Sequence, residues 1–127
     1  MIDELVQRVA AAAGVDAGLA EKAVGMIFAF LKKEAPADSY ATLTGALPGV
    51  EALAAAGTGG GGLMGSVMGM MGGGGVMGLG AQMMGAGLSM GQIQSISKEV
   101  FAFGREKAGE DAMGQIVGAI PGLAQFV

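Results

Sequence analysis

The feature that most constrains the fold is an internal repeat. Residues 14–54 align without a gap to residues 87–127 at a constant offset of 73, with eleven identical pairs over 41 positions. The Phe-Ala-Phe run at 28–30, for example, matches the one at 101–103. A repeated unit of this size buries its apolar face against its neighbour, so we expect the two copies to share one core.

Hydrophobic spacing within the first copy predicts helices with short connections. Residues 2–13 place apolar side chains three and four positions apart, which is typical of an amphipathic helix. Asp16 stands where the N-cap of a long second helix belongs, and Pro36 prevents that helix from continuing. A third, shorter helix is expected to restart at Asp38 and to close at the Pro-Gly pair 48–49. The chain is therefore predicted to be all-α.

The second copy repeats these signals, and Ser89 with Gln92 forms a capping-box pattern at the start of its long helix. Its apolar stripe carries larger residues where the first copy carries small ones: Ile93 and Ile96 replace Ala20 and Ala23. Large against small is how two helices interdigitate at close range. We therefore expect the copies to pack around a pseudo-two-fold axis, as one small bundle of duplicated helix-turn-helix units, with Phe30 touching Phe103.

A segment rich in glycine and methionine joins the copies. Residues 57–91 hold sixteen of the 26 glycines and eight of the eleven methionines, with no charged residue. The four consecutive glycines at 72–75 divide this segment, and the apolar residues on either side predict two short packed helices. The predicted organisation is a first helical repeat at 1–56, a glycine-rich connection with a short helix at 57–75, and a second repeat at 76–127.

The same segment supplies the candidate interaction surface. Glycine at every fourth position would form a stripe along which another backbone approaches closely, and methionine adapts to varied partners. The predicted surface consists of Gly61, Gly65, Gly69, Gly73, Leu63, Met64, Val67, Met68, Met71, Met83 and Met84.

Two other uses of this segment stay open. Its uncharged length exceeds the ~20 residues that a membrane span requires, so membrane insertion is an alternative. Against insertion, the glycine run leaves pieces that would extend only about 14 to 18 Å as helices, and flanking aromatic or basic anchors are missing. A second alternative is a methionine-lined pocket for an apolar small molecule. A Cu(I) site of thioether ligands is less favoured, because such sites usually add His or Cys.

Composition excludes several classes of function. A net charge of −4 and a pI near 4.6 argue against nucleic acid as a partner, because phosphate binding requires clustered Lys and Arg. The chain has neither Cys nor His, so thiolate chemistry and the commonest general base are missing. Glu110 and Asp111 are explained by their place at a helix start, and Glu99 and Glu106 by a solvated face. We therefore expect no enzyme activity, cofactor or metal.

Several short motifs together resemble the VcgC/VcgE-type family of small bacterial proteins. They are Gly-Val-Asp at 14–16, Ala-Pro-Ala-Asp at 35–38, Leu-Pro-Gly-Val at 47–50, the alanine-rich run at 52–56 and Gly-Leu-Ser at 87–89. This resemblance implies a helical bacterial protein without an assigned activity, and no functional residues are carried over from it.

The sequence thus predicts a small interaction or scaffold protein that is not an enzyme. Its expected partner is a second copy of the chain or another protein, bound through the methionine- and glycine-rich apolar surface. The acidic start of the chain is unlike the basic start of a secretory signal, which favours a cytoplasmic location, with membrane association as the alternative.

Overall fold

The computed structural model describes residues 2–51, 75–120 and 122–125, and the regular structure within these ranges is entirely helical. The helices are α1 (Ile2–Ala13), α2 (Ala17–Glu34), α3 (Ala37–Ala46), α4 (Gly75–Gly85), α5 (Met90–Ala108) and α6 (Glu110–Ala119), followed by a 3-10 turn at Leu123–Gln125. The prediction of a small all-α bundle is confirmed. The glycine-rich connection and the domain bounds drawn at 56 and 75 lie in or beside residues 52–74, outside the described ranges, and stay predictions.

Local capping chemistry sets the starts of the two long helices. The Asp16 carboxylate accepts a hydrogen bond from the Leu19 N–H at 3.0 Å, which caps α2. At α5 the Ser89 hydroxyl accepts from the Gln92 N–H at 3.2 Å, and the Gln92 side chain accepts from the Ser89 N–H at 2.9 Å. Both predicted caps are therefore present. The third helix begins at Ala37, one residue before the expected restart.

Helix starts in the two halves follow the predicted offset. The helices α4, α5 and α6 begin 73 residues after α1, α2 and α3 respectively. The turns that follow the first helix of each half also agree, since Gly14 and Gly87 both have positive φ, at 70° and 105°. Descent of the halves from one duplicated unit stays a prediction, with which these bounds agree.

One hydrophobic core contains residues of both halves. Phe28 and Phe101, which are equivalent at the offset of 73, are 0% and 1% exposed, and Phe103 is 0% exposed. Phe30 is only partly buried and packs at the edge of the same core. A direct contact between the Phe30 and Phe103 rings stays a prediction.

The helices of the two halves are interleaved. Helix α1 packs more extensively on α5 than on α2, its neighbour in the chain, and α4 packs more extensively on α2 than on α5. Helix α3 packs mainly on α6 and α5. The two long helices pack on each other less extensively than α1 and α5 do, although the sequence predicts that Phe30 of one touches Phe103 of the other. Each half therefore covers much of its apolar surface with helices of the other.

Candidate interaction surface

Most of the predicted surface falls outside the described residues. Of the eleven predicted positions, only Met83 and Met84 lie in the described ranges. Both belong to α4, which carries no charged residue and packs against α2 and α5. The surface can therefore be described only from α4 onward.

Met83 is a core residue, and its assignment to the interaction surface is wrong. Its side chain is 0% exposed, and Leu79, one helical turn earlier, is 7% exposed. These two residues form the face of α4 that packs on the bundle, because positions four apart lie on the same side of a helix. Met84 points away from that face and is 52% exposed.

Met90 joins Met84 on the surface, with 49% of its area exposed. In the described ranges, these are the two large hydrophobic residues that are classed as exposed. They stand on either side of the Gly87 turn, within a stretch that has no charged residue between Glu51 and Lys98. Periodicity alone would assign Met90 to the core, since Ile93 and Ser97 on the same helical stripe are buried. Met90 stays exposed because it is the first residue of α5.

Two backbone hydrogen bonds close the turn between these methionines. The Gly87 N–H donates to the Met84 carbonyl at 3.0 Å, and the Leu88 N–H donates to the Met83 carbonyl at 3.2 Å. This pairing is a Schellman motif, in which the residue after the glycine packs on the last helical turn. Leu88 is 3% exposed and Met83 is 0% exposed, as the motif requires. The core thus anchors the turn that carries the two exposed methionines.

Arg8 lies in a charged cluster between α1 and α5. Its guanidinium contacts Glu106 at 2.7 Å and Glu99 at 3.4 Å, and it lies 5.3 Å from the centre of the Phe103 ring. The Lys107 ammonium lies 5.5 Å from the same ring. The hydrogen bond from Arg8 lowers the pKa of the Glu106 carboxyl, and in return raises the pKa of Arg8. The expectation that Glu99 and Glu106 lie on a solvated face agrees with side-chain exposures of 32% and 58%, and the structure adds their ion pairs with Arg8.

Two uncharged hydrogen bonds also join the halves. The Ser39 hydroxyl in α3 donates to the Gln115 side-chain oxygen in α6 at 2.7 Å. The Gln92 side-chain nitrogen donates to the Ala13 carbonyl at the end of α1 at 3.3 Å. Since Arg8 meets Glu106 and Ala13 meets Gln92, α1 runs antiparallel to α5. The sequence held no signal for these pairs, because their members come from distant parts of the chain.

Tyr40 is the one tyrosine of the chain and is 7% exposed. Within residues 2–51, 75–120 and 122–125, its hydroxyl has no hydrogen-bond partner. Burial, with a smaller effect of the Glu51 carboxylate, raises the pKa of Tyr40 to about 12. A phenol with so high a pKa stays protonated at neutral pH and is poorly suited to act as a general base.

Metal-ligand clusters and membrane-spanning helices are both missing from the described residues 2–51, 75–120 and 122–125. These residues contain no group of three or more acidic side chains that could hold a metal ion. None of the helices there combines the length and the apolar character needed to cross a membrane.

The chain was also compared with known proteins. No protein-family model, curated protein or solved structure matches it.

Proposed function

We propose that this protein is a small bacterial interaction protein of the cytoplasm that is not an enzyme. It associates with a second copy of itself through its methionine- and glycine-rich surface. The observation that carries the proposal is the exposure of Met84 and Met90 on either side of an anchored turn, in a stretch without charge. The resemblance to small bacterial helical proteins supports the bacterial setting.

The exposed methionines are suited to a protein partner for a physical reason. A methionine side chain is unbranched and polarizable, so it adapts to varied apolar surfaces without strain. The absence of charge between Glu51 and Lys98 removes the desolvation penalty that usually opposes burial of a surface patch. A self-associating protein presents the same patch twice across a two-fold axis, so each methionine contributes two times.

The expected energy is modest and measurable. Burying a whole methionine side chain contributes about 1.5–3 kcal/mol. Met84 and Met90 are 52% and 49% exposed, so roughly half of that value remains to be gained at each. Covering both contributes about 2 kcal/mol per protomer and therefore about 4 kcal/mol per dimer, which corresponds to about 700-fold in the dissociation constant.

Size-exclusion chromatography with light scattering tests the proposal directly. We expect the unmodified chain to form dimers as its concentration rises, both with and without mild detergent. The double variant Met84→Glu/Met90→Glu should weaken the dimer by at least about 700-fold, because it removes the apolar contact in both protomers and adds charges that resist burial.

The matched control is Ala11→Glu/Ala17→Glu. These positions precede Met84 and Met90 by the same offset of 73, and both are exposed. The control adds the same charge at equivalent places in the first half and should leave the dimer intact. A chain that is monomeric at every concentration, or a control that weakens the dimer equally, would contradict the proposed surface. Association that appears only in detergent would favour membrane binding instead.

A further inference from the structure

The packing between the two halves has the properties of an interface between separate molecules. Helix α1 packs chiefly on α5, α4 packs chiefly on α2, and α3 packs on α6 and α5. The helices pack more extensively between the two halves than within either half. The apolar faces of one half are therefore complementary to those of the other.

Polar contacts follow the same division. Arg8 reaches across to Glu99 and Glu106, Ser39 to Gln115, and Gln92 to the Ala13 carbonyl. Each of these pairs joins one residue of the α1–α3 half to one residue of the α4–α6 half. Specific polar pairs fix the register of an interface, so the two halves recognise each other in one orientation.

We propose that a second copy of this chain can supply either half. In the resulting dimer, the α1–α3 half of one copy packs on the α4–α6 half of the other, through the same contacts that close the single chain. This inference goes beyond the proposed self-association, because the exchanged dimer uses the contacts between the halves and not the exposed methionines.

The exchange requires no new contact. The same interface forms within one chain or between two. The ratio of exchanged dimer to closed monomer therefore depends on the effective concentration of one half around the other half of the same chain. For linked modules that concentration is of the order of mM, so exchanged dimers compete when the chain refolds near about 1 mM. Exchange must open the shared core, so a dimer formed in this way should persist after dilution.

Single-cysteine variants of the full chain test the exchange, and the natural chain has no Cys to interfere. Arg8→Cys chains and Glu106→Cys chains are mixed, unfolded together, refolded at about 1 mM, diluted and treated with a short bis-maleimide crosslinker. Exchange brings position 8 of one copy beside position 106 of the other. Random pairing places one chain of each variant in about half of the dimers. We expect the crosslinker to join the two chains covalently in that half.

The control pair is Lys32→Cys with Glu51→Cys. These side chains also approach each other, at 3.7 Å between Lys32 Nζ and Glu51 Oε2, but both belong to the same half. Exchange of halves never places Lys32 of one copy beside Glu51 of another, so this mixture should give no covalent dimer. When both cysteines of a pair are introduced into the same chain, they should crosslink within that chain. This result verifies that the crosslinker is long enough to join the two positions.

The outcomes separate the two proposals. Dimers in which neither mixture crosslinks, or in which both crosslink equally, would overturn the exchange and leave self-association standing. A chain that stays monomeric after refolding at about 1 mM would overturn both. If substitution at Arg8 prevents folding, Ser39→Cys with Gln115→Cys provides a second pair across the halves, because these side chains meet at 2.7 Å.

Discussion

Gly104 of α5 faces Met113 of α6 and Leu43 of α3, and replacing it with alanine tests the packing of the core. A methyl group at this position would lie 2.8 Å from the Met113 sulfur, 2.9 Å from the Met113 terminal carbon and 3.4 Å from a Leu43 methyl. A methyl group at Gly114, in the middle of α6, would meet nothing within 4 Å. The two substitutions are chemically identical and differ only in their surroundings.

The comparison isolates the packing energy. Replacing glycine with alanine inside a helix gains about 1 kcal/mol at either site, so this gain cancels between the two variants. Carbon contacts are most favourable near about 3.5–4.0 Å, and the new methyl at 104 would be roughly 1 Å too close to Met113. Both Met113 atoms are at the flexible end of the side chain, but Met113 is 1% exposed, so that end must find its new position within the core. Overpacking of this kind costs about 1–3 kcal/mol.

Urea unfolding followed by circular dichroism measures the difference. We expect Gly114→Ala to be more stable than the unmodified chain, and Gly104→Ala to be about 1–3 kcal/mol less stable than Gly114→Ala. With a slope near 2 kcal/mol per M, the midpoints should differ by about 0.5–1.5 M. Shortening Met113 to valine should relieve the clash, so Gly104→Ala should cost less in that background. Equal midpoints for the two alanine variants would refute the close approach of α5 to α6.

Three further outcomes are expected. Burial raises the pKa of Tyr40 from 10.0 to about 12, so its contribution to stability is complete below pH 10 and is lost as pH rises towards about 12; spectrophotometric titration of the tyrosinate should find the raised pKa only in the folded chain. Asp16→Ala and Ser89→Ala should each cost about 1 kcal/mol in thermal or urea unfolding, because each removes the acceptor of a helix N-cap. Dilute peroxide followed by peptide mapping should find Met84 and Met90 oxidised before any buried methionine, and equal oxidation of buried methionines would contradict the assigned burial.

Local structure was the most predictable part of the fold. The start of α2 at Asp16, the break at Pro36 and the capping box of Ser89 with Gln92 depend on residues close in sequence, so the sequence alone locates them. The small error at α3 arose because the helix was expected to restart at Asp38, whereas Pro36 is its N-cap and Asp38 lies inside the first turn.

Packing partners were less predictable. Amphipathic spacing identifies which face of a helix is buried, but it does not identify the helix that covers that face. The stripes of α2 and α5 were therefore expected to pack on each other, with Phe30 touching Phe103, whereas α1 makes the most extensive contact with α5. The cluster of Arg8 on Glu106 and Phe103 depends on the same tertiary arrangement and has no signal in the sequence.

The candidate surface was also predictable only in part. The lack of charge around α4 is visible in the sequence, and Met84 is exposed there, while its role in an interaction stays a prediction. Adjacent helical residues differ in direction by about 100°, so Met83 and Met84 cannot both face outward, and only the tertiary packing decides which one does. Met90 escaped prediction because its periodicity places it on the buried stripe of α5.

The central claim is that both halves form one core, and the single tyrosine offers the most direct test. Tyr40 is in the α1–α3 half, and the chain has no Trp, so tyrosine emission reports on that half alone. Phe101→Ala removes a fully buried ring from the other half and should cost about 3–5 kcal/mol. With a shared core, Tyr40 emission and far-ultraviolet circular dichroism should shift together to the same lower urea midpoint. A Tyr40 transition that stays at its original midpoint, while part of the dichroism signal is lost earlier, would show that the halves fold independently.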